Sequence, residues 1–208
     1  MFYARRRRRK LSPDRIEAWV TSYEKEVPAL LGMPGFMGTY LLADRASGDG
    51  ESYSFWESRE ALESTRSSTD ALGSQQKVEI GLDTVSIENF EVIARTGDKV
   101  HTGATHARVR EWSGTPDQLE VGIPLIKEKS IPALGQDLGF LGGFWLGDRS
   151  NGKSVSVLLY DSKASLEAAE ERQAESASQM SQVIGGTEGE RRYYEIIART
   201  VAAARTTS

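Results

Sequence analysis

The chain has 208 residues, 38% of them hydrophobic and 27% charged, with a formal net charge of −4. That size suits one large domain or two small ones, and so mild a negative charge gives no general attraction to nucleic acid or to a membrane surface. The absence of cysteine excludes disulfides, iron–sulfur clusters, thiolate zinc sites and cysteine nucleophiles.

The N-terminus is basic from Arg5 to Lys10, but Leu11-Ser12-Pro13-Asp14 follows where a secretory signal needs an apolar core. No stretch reaches the roughly 18 apolar residues of a membrane helix. The expected location is cytoplasmic, without a membrane partner.

Residues 28–96 reappear as residues 132–200 at a constant offset of 104, with about a third of the positions identical. Glu91-Val92-Ile93-Ala94-Arg95-Thr96 matches Glu195-Ile196-Ile197-Ala198-Arg199-Thr200, and Pro28-Ala29-Leu30 matches Pro132-Ala133-Leu134. Nearer the N-terminus the offset is 103, as in Pro13-Asp14 against Pro116-Asp117, so one residue was gained or lost between these anchors. A period this long marks a duplicated domain rather than a solenoid. The expected organisation is a first repeat over residues 1–96, a polar linker over 97–104, a second repeat over 105–201 and a tail over 202–208.

In chain order, residues 4–9 and 107–111 take the place of a first strand. Ser12-Pro13-Asp14 and Thr115-Pro116-Asp117 predict helix starts, with a hydroxyl cap, proline in the first turn and an acid at the positive end of the dipole. Ile16, Trp19, Val20, Tyr23 and Val27 then recur at helical spacing, as do Leu119, Ile123 and Ile126. Residues 36–44 and 52–56, like 140–148 and 155–160, predict a hairpin. Ser58 and Ser162 open a second, polar helix, and residues 89–95 and 193–199 close each copy as a fourth strand. Residues 185–190 read as a polar loop.

The order β-α-β-β-α-β is the ferredoxin-like unit. It covers one sheet face with helices and leaves the other to be buried elsewhere. The predicted fold is therefore α+β: two tandem ferredoxin-like repeats forming one pseudo-symmetric antiparallel β-barrel with helices outside.

Gly35-Phe36-Met37-Gly38, Leu41-Leu42-Ala43-Asp44 and Phe55-Trp56-Glu57-Ser58-Arg59-Glu60-Ala61-Leu62 resemble the antibiotic-biosynthesis-monooxygenase-like (ABM) family of dimeric α+β barrels. The second copy keeps Gly139-Phe140-Leu141-Gly142 and Leu146-Gly147-Asp148, with Tyr160-Asp161-Ser162 in place of Trp-Glu-Ser. The resemblance implies a lumen able to hold a small, often aromatic, organic molecule. It admits a cofactor-independent monooxygenase acting on an aromatic or polyketide-like substrate. The haem-degrading branch fits poorly: neither 58–76 nor 162–182 contains the histidine that would ligate iron, and the only histidines, His101 and His106, lie in or beside the linker.

Strand alternation divides each strand into two faces. Assigning the more apolar face to the helices leaves Glu91, Ile93 and Arg95, with Glu195, Ile197 and Arg199, toward the lumen. Arg5, Arg7, Arg108 and Arg110 join them, as do Ser52, Ser54 and Trp56 and their counterparts Ser156, Leu158 and Tyr160. Tyr40, Phe144 and Trp145 lie in a strand apolar on both faces and are left unassigned. Glu91 and Glu195 are the candidate acid/base residues. Arg7, Arg110, Arg95 and Arg199 are candidate anion partners, with Trp56 and Tyr160 as ring platforms. The competing reading makes the glutamates internal struts to Arg7, Arg110 or their neighbours, within a non-catalytic binding or assembly module whose interior is filled and salt-bridged.

The arginine run and the β-α-β-β-α-β order also evoke RNA recognition, but residues 53–58 lack the aromatic signature of its third strand and the chain is acidic. No nucleic-acid partner is expected. No phosphate loop, Ser-His-Asp set or clustered metal ligands occur, so no cofactor and no metal are expected. The expected assembly is a monomeric pseudo-dimer or a homodimer.

Overall fold

The computed structural model describes residues 1–96 and 102–202, with the side chains of all but 174–182. The linker residues 97–101, His101 among them, and the tail from 203 lie outside the described residues.

The first repeat supplies β1 (Tyr3–Lys10), α1 (Ile16–Gly32), β2 (Phe36–Ala43), β3 (Asp49–Trp56), α2 (Arg59–Ser64), α3 (Arg66–Ile80) and β4 (Asp83–Arg95). The second supplies β5 (His106–Ser113), α4 (Pro116–Leu125), α5 (Ile131–Leu134), β6 (Phe140–Asp148), β7 (Lys153–Tyr160), α6 (Lys163–Ile184) and β8 (Thr187–Val201). The strands hydrogen-bond in the closed barrel order β1-β3-β2-β8-β5-β7-β6-β4, the antiparallel α+β arrangement expected from the repeat.

Two compact units partition the chain: Met1–Phe90 with the chain from Glu195 onward, and Glu91–Tyr194. Each is completed by a strand end from the other repeat. In unit 1, Glu195 to Val201 of β8 pair with β2. In unit 2, Glu91 to Arg95 of β4 pair with β6.

Local chemistry sets the element ends. Thr115 caps α4 in a full capping box with Gln118, and the Ser58 hydroxyl accepts from the Ala61 amide at 3.1 Å. Ser12 does not cap its helix, because its hydroxyl turns to Asp14 and a 3-10 turn, Pro13–Arg15, precedes α1. The second helix of the first repeat is divided at Thr65, whose hydroxyl bonds back to Ala61 O and Leu62 O. The fourth strands begin earlier than expected, and residues 187–190 belong to β8 rather than to a loop.

The one-residue change of offset has a structural counterpart. Between α4 and α5 the helix passes through a π-helical stretch, Ile126–Ser130. One residue inserted into an α-helix is absorbed as such a wide turn without shifting the helix on either side. Before it Ile126 corresponds to Tyr23 at 103; after it Ser130 corresponds to Glu26 at 104.

The expected orientation of the faces is inverted. Arg5 reaches the helices, donating to Thr69 Oγ1 of α3 at 2.6 Å and to the Leu62 carbonyl of α2 at 2.7 Å. Arg7 bonds Thr69 and Asp70, and in unit 2 Arg108 pairs with Glu170 of α6. Trp56 is buried in the helix-side core with Trp19 and Leu62, and Tyr160 in the equivalent core with Leu119 and Leu166. The sets assigned to the helices, such as Tyr53 and Val157, are fully buried on the opposite face. Alternation separates two faces but does not say which one the helices cover. With both faces buried, apolarity loses its vote.

Candidate functional site

Each unit holds a cavity between its helices and its sheet. In unit 1 the cavity, of about 50 Å3, is lined by Arg7 and Arg9 of β1, Trp19, Tyr23 and Glu26 of α1, and Thr39 of β2, with Leu41, Ser52 and Gln76 around them. Three arginines two residues apart place their guanidinium groups on one face of β1. Arg5 is fully engaged with Thr69, Leu62 and Asn89. Arg7 pairs with Asp70 at 2.7 Å. Arg9 donates Nη1 to Thr84 at 2.5 Å, while its buried Nε meets no acceptor. The buried hydroxyls of Tyr23 and Thr39 lie beside each other, with Thr200 near Tyr23, without a well-formed hydrogen bond.

Burial dominates the electrostatics of this group. It draws the Arg9 pKa down to about 9, with Arg7 adding like-charge repulsion. It pushes the Glu26 carboxyl up to about 7, against the pull of Arg9. Gln76 Nε2 donates to Glu26 Oε2 at 3.1 Å.

The unit 2 cavity, of about 120 Å3, is lined by Arg110 and Trp112 of β5, Gln118, Leu119 and Gly122 of α4, Trp145 of β6, and Ser154 and Ser156 of β7. Ile126 and Ser130, the two ends of the π-helical stretch, also line it. Arg110 Nη2 donates to Glu188 Oε2 at 2.6 Å, so its charge is matched. The buried Trp112 Nε1 has no acceptor. Trp112 packs so closely against Gly114 and Gly186 that a Cβ at either would fall within 2.4 Å of its ring.

The cavities occupy equivalent places but differ in chemistry. Arg9 corresponds to Trp112, Tyr23 to Ile126, Glu26 to Ser130 and Leu41 to Trp145, whereas Arg7 and Ser52 keep their identity as Arg110 and Ser156.

Of the residues placed toward the lumen from sequence, Arg7, Ser52 and Ser54 line the first cavity and Arg110, Ser156 and Ile93 the second. The candidate acid/base and ring residues, with Arg95 and Arg199, do not. Trp56 stacks edge-on against Phe36 at 5.3 Å, and Tyr160 against Phe140 at 5.7 Å. Arg95 is exposed and Arg199 half-buried. Glu91 accepts from Arg149 Nε at 3.0 Å and Glu195 from Arg45 Nε at 2.6 Å, so their partners are not Arg7 and Arg110. Arg6, between Arg5 and Arg7 on β1, pairs with the buried acid Glu51. Arg9, Tyr23, Thr39, Glu26, Trp112 and Ser130 were missed. The signal available was the repeat itself, in which Arg9 pairs with Trp112 and Glu26 with Ser130, each a change of chemical class.

Residues 1–77 match the family model described as antibiotic biosynthesis monooxygenase. The chain is 34% identical over 143 residues to an uncharacterised protein of Mycobacterium tuberculosis, Rv2557, the match covering 68% of this chain and 62% of that protein. Among solved structures it resembles an anthrone oxidase-like protein, with a TM-score of 0.71 at 16% identity, covering 100% of this chain and 95% of the other. It also resembles a monooxygenase candidate of Fusobacterium nucleatum, with a TM-score of 0.70 at 12% identity over 96% and 94% of the two chains. At such identities the likeness is one of fold, an α+β barrel, and the match to the antibiotic biosynthesis monooxygenase model extends over residues 1–77.

Proposed function

We propose that the chain binds a small aromatic molecule in the unit 2 cavity and acts on it as a cofactor-independent monooxygenase of aromatic or polyketide-like substrates. The observation that carries this reading is the pair Trp112 and Trp145 around a cavity of about 120 Å3 that also holds an orphaned indole N–H. A cavity near 150 Å3 lined by apolar residues accepts a benzene ring, so this one suits a single ring of a substrate. Because Glu188 already matches Arg110, the cavity favours a neutral ring over a carboxylate. Trp112 Nε1 and the hydroxyls of Ser154 and Ser156 can donate to a phenol or ketone oxygen. The π-helical stretch on the cavity wall supports the reading, because such insertions recur at functional sites.

The substrate supplies the electrons. A methylene flanked by electron-rich rings loses a proton and reacts with dioxygen, which converts CH2 and O2 into C=O and H2O. The protein's share is to hold the ring and stabilise negative charge on the conjugated oxygen through Trp112 Nε1 and the serines.

Tryptophan fluorescence with a hydroxyanthrone as probe tests binding, and an oxygen electrode tests turnover. Saturable quenching, weakened in Trp145→Leu and Trp112→Phe and accompanied by oxygen uptake equal to quinone formed, supports both halves. Quenching without uptake leaves a binding protein, and no quenching at all removes the reading.

A further inference from the structure

The unit 1 cavity is chemically the opposite of its counterpart. Arg7 and Arg9, both buried, reach it from β1, with Arg5 beside them on the same face. Facing them are two acids, Asp70 and Glu26. Arg7 pairs with Asp70, whereas Arg9 donates to the Thr84 hydroxyl and not to an acid. Three buried donors without a well-formed hydrogen bond line this cavity: Arg9 Nε, the Tyr23 hydroxyl and the Thr39 hydroxyl, in residues no more than 6% exposed. A buried donor without an acceptor costs about 1–3 kcal/mol, and a charged one more, so three in one small cavity point to an occupant.

We propose that the unit 1 cavity is a binding site for a small organic carboxylate. Its oxygens take Arg9 Nε and the hydroxyls of Tyr23 and Thr39, and its short hydrocarbon part lies against Trp19, Leu30, Leu41 and Leu72. A volume of about 50 Å3 limits the occupant to a few heavy atoms. The mixed wall, polar at one end and apolar at the other, favours a carboxylate with a tail over an inorganic oxyanion. The duplication explains how one fold carries both sites. At the position where Arg9 supplies charge the second repeat has Trp112, and where Glu26 stands it has Ser130.

Glu26 makes the site sensitive to pH. The groups around it are Arg7 and Arg9 from β1, Gln76 and Glu79 from α3, with Asp70 and Tyr23 nearby. Protonated, Glu26 no longer competes with the ligand for Arg9; ionised, it does. Binding therefore strengthens as pH falls from 8 toward 6.

Isothermal titration of the full chain with acetate, propionate and inorganic phosphate, at both pH values, tests the site. The expected result is saturable binding of propionate and acetate in the millimolar range or tighter, ahead of phosphate, and stronger at pH 6. Arg9→Gln should abolish it. Should that variant fail to fold, Tyr23→Phe keeps the question open to measurement. It removes only a hydroxyl that makes no well-formed hydrogen bond in the free protein, and it should weaken binding about tenfold, the effect of one hydrogen bond. Glu26→Gln should bind equally at both pH values. No saturable heat with either carboxylate, binding indifferent to Tyr23→Phe, or a preference for phosphate would each overturn the proposal. None of these outcomes bears on the aromatic site in unit 2, so the two readings fail separately.

Discussion

Arg6 Nε and Nη2 donate to the two carboxylate oxygens of Glu51 at 2.8 and 2.6 Å, and neither side chain is exposed to solvent. Tyr53 donates its hydroxyl to Glu51 as well, and Glu88 takes the remaining arm of Arg6. The second repeat fills the same places with Val109, Val155 and Val157. Breaking a buried pair strands a charge, whereas replacing both partners with apolar groups is often neutral or favourable. Arg6→Val alone is expected to cost about 3–5 kcal/mol in denaturant unfolding. Arg6→Val with Glu51→Val and Tyr53→Val is expected to recover most of that loss.

Glu26 sets a pH dependence of stability. Burial raises its carboxyl from 4.5 to about 7 in the folded chain. The folded state then binds the proton more tightly than the unfolded one, so the contribution is fully present below pH 4.5 and is lost as pH rises through 7. Glu26→Gln should raise the melting temperature at pH 8 and change it little at pH 4.5. Equal shifts at both values would falsify the assignment.

The pairs Arg149–Glu91 and Arg45–Glu195 lie near the surface, with the arginines 43% and 44% exposed. Exposed pairs contribute about 0–1 kcal/mol. Glu91→Gln and Glu195→Gln are therefore expected to leave unfolding free energies within about 1 kcal/mol of the parent. Neither residue lines the two cavities, so both variants should bind the aromatic probe and propionate as the parent does. Loss of either ligand in titration would return the glutamates to the site.

Gly186 adopts φ +90°, and a Cβ there would fall 2.4 Å from the Trp112 ring. Gly186→Ala meets both a forbidden backbone region and the indole that walls the unit 2 cavity. It should destabilise the protein by about 1–3 kcal/mol and shift the tryptophan emission, while leaving propionate binding intact.

The two hydroxyls written into equivalent helix starts should behave differently. Thr115→Ala removes a capping box and is expected to cost about 1 kcal/mol. Ser12→Ala removes no cap, because Ser12 bonds Asp14 instead. Chemical denaturation of the two variants side by side measures the difference.

These sites were unequally legible in the sequence. The element order and the fold follow from offsets and periodicity: Gly35 and Gly139 recur at a positive φ, and Glu91 and Glu195 each take an arginine. The faces did not follow. Arg5 and Arg7 turn toward the helices because Thr69 and Asp70 wait there, and contacts between residues 62 positions apart leave no trace in alternation. Glu91 and Glu195 looked like interior acids for the same reason. Trp112 and Arg9 were readable in principle as one position occupied by two chemistries, but only a face assignment would have placed both against a cavity.

Unit 1 is assembled from both ends of the chain, and this orders its synthesis. The β2 edge pairs with residues 195–201, so all of Glu91–Tyr194 must be made before that edge finds its partner. Unit 2 is one continuous run, Glu91–Tyr194, and has all its strands earlier. The nascent first repeat therefore carries an open sheet edge while the second repeat is being made. A chain ending at the repeat boundary would keep that edge exposed permanently.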